Sequence, residues 1–183
     1  MGGSDTTDRR LGGNSQHLVH FYQRVGNVGV WRFADGGLQF NFPDHTKLTL
    51  RPAESDDDES RFHVDCVYLV PTDAISLAHH GRITVEAMER RGTTSYPVDD
   101  ILMDVLRRSE MEIIRTNEIK EKLSWIRAVL GCWIKEGGLG KMGEERLGWS
   151  GLQERRDDKR IKLQWVTVGR FGGDGEGAGK GDA

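Results

Sequence analysis

Two cysteines, four prolines, no long apolar run and no surplus of basic charge in 183 residues remove several classes of protein at once. Cys66 and Cys132 form one unpatterned pair, too few for a disulfide framework and without the spacing of a zinc site, so two buried thiols in a reducing compartment are expected. No stretch of about 18 apolar residues occurs, and the N-terminus lacks the apolar core of a signal peptide; both predict a soluble, intracellular chain with no membrane partner. A net charge of -3 supplies no positive field for a phosphate backbone, which argues against nucleic-acid binding and makes any anion site a local feature.

Catalytic signatures are missing as well. There is no His-Arg-Asp loop, no Asp-Phe-Gly and no Gly-x-Ser-x-Gly elbow. The Gly-rich stretch at Gly169-Arg170-Phe171-Gly172-Gly173 opens no helix and lacks the Lys-Ser/Thr pair of a phosphate-gripping loop. His79 and His80, with His63 and Cys66 nearby, invite a metal reading. Adjacent residues on a helix diverge by about 100°, however, and no second ligand pair at His-x-x-x-His spacing accompanies them, so these are read as surface histidines. Asp99-Asp100 stands beside a helix start, where stabilising the helix dipole accounts for it. The chain is therefore expected to be no enzyme and to hold no metal or cofactor.

What is abundant is glycine, at 24 residues, against an apolar fraction of only 36%. The imbalance is local. Residues 1–16 and 172–183 are poor in large apolar side chains and are expected to be disordered tails, since they cannot repay the entropy of ordering. That leaves one folded domain at 17–138 and an extension of unassigned structure at 139–171.

Within the domain the first half has strand period. Leu18, Val19, Phe21 and Tyr22 form an apolar cluster, and Val28 to Phe33 reads as a first strand. Ala34-Asp35-Gly36-Gly37 supplies a tight hairpin into Leu38-Gln39-Phe40-Asn41-Phe42. His45 to Arg51 alternates again, with Thr46, Leu48 and Leu50 on one face and His45, Lys47, Thr49 and Arg51 on the other. An acidic loop at 53–60 precedes a fourth strand, Phe62 to Val70. The period then changes. Thr72 is read as the cap of a short helix ending at Gly81, and a second helix spans Thr84 to Arg91. Thr93 to Val98 is a brief edge strand. Ile101, Leu102, Val105 and Leu106 mark one amphipathic helix, and Ile114 to Lys135 is the longest, closed by Gly137-Gly138. Ile161 to Val168 reads as a last strand of unassigned pairing.

One constellation has chemistry in it. His45 and Lys47, two apart on the polar face of one strand, would point the same way, and a dianionic phosphate over them could accept a hydrogen bond from each. On composition alone such a pair is also what an ordinary solvated strand face contains.

The ordered run Asp35-Gly36-Gly37-Leu38-Gln39-Phe40-Asn41-Phe42-Pro43-Asp44-His45-Thr46-Lys47-Leu48-Thr49-Leu50 resembles the hairpin and third strand of the second polo box of polo-like kinases. The resemblance extends over roughly residues 18–137. It implies an α+β fold, a six-stranded antiparallel sheet with a long C-terminal helix packed across it and short inserted helices. It also implies that His45 and Lys47 hold the phosphate of a phosphoserine or phosphothreonine peptide. In that family a first polo box completes the peptide groove, and this half is absent from the sequence. The inserted helices, the acidic loop and the C-terminal extension are similar to those of filamentous fungal members. The implied function is docking of a polo-like kinase onto primed substrates in mitosis, in nucleus and cytoplasm, at spindle poles and kinetochores. The implied partners are phosphorylated proteins and a first polo box or a second copy of the chain. The alternative is a self-associating module that binds no phosphopeptide.

Overall fold

A computed structural model describes residues 19–53, 62–135 and 147–155. Its sheet is a simple meander of six antiparallel strands in sequence order: β1 Val19–Val25, β2 Val28–Phe33, β3 Leu38–Asn41, β4 Lys47–Pro52, β5 Phe62–Tyr68 and β6 Gly92–Pro97. Between β5 and β6 lie α1 Pro71–His80 and α2 Val85–Glu89; α3 Val98–Leu102, α4 Arg108–Thr116 and α5 Ile119–Lys135 follow. The fold is thus α+β, a six-stranded antiparallel sheet with a long helix against it, as the sequence leads one to expect.

Alternation decides which face that helix covers. Val30, Phe40, Leu48 and Cys66 lie side by side across β2 to β5 and are all buried. Val64 and Tyr96 extend the same face, onto which α5 presents Leu123, Ile126, Val129 and Trp133 at helical spacing. Trp125 stands edge-on to both Phe40 and Phe42, with ring centroids 6.4 and 5.6 Å away. Fully burying an aliphatic or aromatic side chain of this kind contributes about 1.5–3 kcal/mol. This one shared face is therefore the main source of stability. The opposite face has the row Tyr22, Trp31, Gln39, Thr49, Asp65 and the row Arg24, Gly29, Asn41, Lys47, Val67. It is the more polar side.

Several elements differ from the sequence reading. Val28–Phe33 is the second strand, because Val19–Val25 precedes it and pairs with it through the two-residue turn Gly26–Asn27. Thr72 caps nothing: α1 begins at Pro71, whose missing N–H costs nothing in a first turn, and Val70 precedes it. Gly81 ends the helix in the left-handed region, as expected. Thr84 does cap its helix, its hydroxyl accepting the Ala87 N–H. The helix expected from Ile101 to Leu106 stops at Leu102, and Val105 is left exposed.

The largest change is a break in the long helix. Asn117 ends α4, Glu118 takes a positive φ of 50°, and α5 starts at Ile119. The cause is a buried amide. Asn117 donates to the Leu69 carbonyl and accepts from the Leu69 N–H, both at 2.9 Å, replacing the strand partners that Leu69 loses as β5 ends. Apolar periodicity runs on across the break, so the pattern could not show it. The end of the helix at Gly137-Gly138, the acidic loop core and the strand read at Ile161 to Val168 lie outside the described residues.

Leu147–Arg155 forms a strap over one end of the sheet. Trp149 is buried against Phe42 at 5.4 Å between centroids, and the Asn27 amide both donates to the Trp149 carbonyl and accepts its N–H. The strap ends with Glu154 N–H on the Pro43 carbonyl and Arg155 N–H on the Gly81 carbonyl.

Candidate functional site

His45 is not on a strand. β4 starts at Lys47, and His45 occupies the tight turn before it, with a positive φ of 67°. The turn is closed by backbone bonds from His45 N–H to the Phe42 carbonyl and from Phe42 N–H to the Thr46 carbonyl. Buried Asp44 organises it further, one carboxylate oxygen accepting both the Thr46 N–H at 3.1 Å and the Thr46 hydroxyl at 2.7 Å. An Asp folding back onto the residue two ahead is ordinary turn chemistry. A histidine in the left-handed region is not ordinary, and such strain persists only where the surroundings enforce it.

The enforcement comes from α5. Lys122, fully buried, donates to the second Asp44 oxygen and to the Asn117 carbonyl, and its ammonium lies 5.2 Å from the centre of the Phe42 ring. Burial pushes the Lys122 pKa below the usual lysine range, while the Asp44 charge pulls the other way. On the outer side Arg91 donates to the His45 carbonyl at 3.2 Å and to the Met88 carbonyl at 2.9 Å. The His45 backbone is thus held from the core and from the surface together.

Lys47 lies beside Asn41 and Val67 in the sheet, on the side away from α5. No carboxylate among the described residues pairs with its ammonium. His45 and Lys47 open on the same groove, about 760 Å³ in volume, walled by Tyr22, Trp31, Arg91 and Glu154. Tyr22 and Trp31 pack with centroids 4.7 Å apart. The Trp31 ring lies over Gly29, where an added Cβ would come within 2.6 Å of it. Gly29 therefore lets the indole lie flat as the groove wall.

Charge in the groove is one-sided. Among the described residues, Arg24, Lys47, Arg91, Arg155 and His45 line it against a single carboxylate, Glu154. That carboxylate is 2.8 Å from His45 Nε2, and the two side chains are equally shielded, each 23% exposed. The arrangement can receive an anion between an imidazole and an ammonium. Among the described residues no group of three His, Cys, Asp or Glu side chains could hold a metal, and His79 and His80 are both exposed on α1. Asp99 and Asp100 lie in the first turn of α3.

The sequence reading missed Asp44 as an organiser, and it missed Lys122, Arg91 and Glu154 altogether. Lys122 left a faint signal, a cation beside Leu123 on the apolar stripe of a helix. Glu154 left none, since it arrives from 109 residues away along a segment without period. Cys66 is buried in β5 and its thiol is pushed up to about 12, chiefly by desolvation, while Cys132 is partly buried on α5; both are free. No family model, no curated protein and no solved structure matches the chain.

Proposed function

We propose that the chain is a phosphopeptide-binding module, a polo box of the second type, in which His45 and Lys47 hold the phosphate of a phosphoserine or phosphothreonine. The observation that carries this reading is their convergence, from a turn and a strand, on one groove of predominantly positive charge. A phosphate dianion accepts strongly from cationic donors, and an imidazolium and an ammonium are both of that kind. The motif resemblance of Asp44-His45-Thr46-Lys47 to polo boxes supplies the ligand class. On this reading the chain carries no catalysis of its own; it docks a polo-like kinase onto primed mitotic substrates, in nucleus and cytoplasm and at spindle poles and kinetochores. A first polo box or a second copy of the chain would complete the peptide groove. The test is anisotropy of a labelled Ser-phosphoThr peptide against its unphosphorylated twin. Saturable binding of the first alone supports the reading, and equal or absent binding of both opposes it.

A second reading, self-association, is favoured by a different surface. Leu50, Phe62, Leu102, Leu130 and Ile134 line an apolar groove of about 500 Å³ beside α5, and Ile134 is 81% exposed. Sedimentation of the wild type against Ile134→Glu tests it: a dimer that the charge dissolves supports self-association, and a monomer at all concentrations opposes it.

A further inference from the structure

We infer that Glu154 is a built-in competitor for the phosphate site, an intramolecular carboxylate that occupies the His45 imidazole until a phosphorylated ligand displaces it. The inference rests on the phosphate-site reading and adds a regulation that the motif does not contain. Glu154 Oε2 lies 2.8 Å from His45 Nε2, the atom that would otherwise face an incoming phosphate oxygen. A carboxylate offers the imidazole the same kind of acceptor as a phosphate, with one negative charge where the phosphate has nearly two.

The position of Glu154 is not left to a loose tail. Its own N–H is bonded to the Pro43 carbonyl at 3.0 Å, inside the turn that presents His45. The next residue is fixed by Arg155 N–H on the Gly81 carbonyl at 2.7 Å, and the Leu152 N–H is bonded to the Glu118 carboxylate. Trp149, buried on Phe42, anchors the start of the strap. With the backbone held at these points, rotation of the Glu154 side chain alone uncovers His45; the strap need not detach. Once a phosphate is bound, the same carboxylate, the one negative group among the described lining residues, would stand beside a dianion and would repel it. Glu154 therefore lowers apparent affinity twice, by reducing the fraction of sites that are open and by destabilising the filled one. The device favours ligands with a full phosphate dianion over carboxylate mimics, because a glutamate or aspartate in a peptide would bring no more charge than Glu154 already does.

The experiment is a titration of the full 183-residue chain, wild type and Glu154→Gln, with a labelled Ser-phosphoThr peptide and its phosphoThr-to-Glu counterpart, with thermal melting to establish that both proteins are folded. Glutamine keeps the size and an acceptor oxygen and removes the charge. The expected result is phosphopeptide binding tightened about three- to tenfold in Glu154→Gln, and measurable binding of the glutamate peptide in that variant alone. A strap that merely supported the fold would give weaker binding when altered, so a gain separates the two roles. Equal or weaker phosphopeptide binding by Glu154→Gln overturns the competitor and leaves the phosphate site standing. Phosphopeptide binding by neither protein overturns the phosphate-site reading, and the competitor with it.

Discussion

At the scale of single residues, His45 contributes a side chain to the groove at a backbone position that L-residues avoid. Its φ of 67° places Cβ close to the following carbonyl, a clash that glycine lacks. His45→Gly should therefore be more stable than His45→Ala by roughly 1 kcal/mol in urea melts, although both lose the imidazole and its bond to Glu154. Equal stability would mean that the turn relaxes when the histidine is gone. Cys66 makes a second residue-scale prediction. Its thiol is held protonated to about 12, against an ordinary 9.0. Above pH 9 the unfolded chain loses that proton while the folded chain keeps it, so the stability due to Cys66 is fully present below pH 9 and declines toward 12. The stability advantage of the wild type over Cys66→Ala should shrink with alkaline pH by up to about 1.4 kcal/mol per pH unit. An advantage independent of pH over that window would contradict the buried thiol. The sequence showed His45 and Lys47 as a pair, but through a wrong geometry: alternation placed both on one strand, whereas Asp44 pulls the chain into a turn that period-2 reasoning cannot register.

At the scale of elements, the site depends on α5 more than on the strands beside it. Lys122 reaches from the helix through the core to Asp44 and to the carbonyl of Asn117, joining the presenting turn to the α4–α5 break. Removing one partner of a buried pair leaves the other charge unpaired in an apolar surround, at a cost of about 3–5 kcal/mol. Lys122→Met should lose about that much stability and, in whatever fraction remains folded, weaken the hold on His45, read as a loss of protection from hydrogen exchange at the Thr46 amide. A variant as stable as wild type would show that Asp44 is satisfied without it. Strand existence was legible because alternation, Gly36-Gly37 and Pro43-Asp44 all act over a few residues. The break at Asn117 was not, because it depends on Leu69, 48 residues away, needing a partner for its backbone. The α3 boundary failed for a related reason: Val105 suits a helix period but has nothing to pack against and stays exposed.

At the scale of the whole molecule, the meander gives two faces of different character. One is covered by α5 and holds the fold; the other carries Tyr22, Trp31 and Lys47, and the last residues of the Leu147–Arg155 strap line one end of its groove. The division into core and open face was legible from alternation alone. The strap was not: it has no hydrophobic period, and its attachment rests on Trp149, the Asn27 amide and backbone bonds that no local pattern announces. Glu154 comes to the groove on that strap, so the carboxylate against His45 comes from the segment that sequence reasoning could not place. The decisive experiment is titration of the purified chain with a Ser-phosphoThr peptide and its unphosphorylated twin, using wild type and His45→Ala/Lys47→Met. A phosphate site at His45 and Lys47 gives phosphate-dependent binding that the double substitution abolishes while the far-UV spectrum is unchanged. Binding that survives the double substitution, or that ignores the phosphate, would rule that site out.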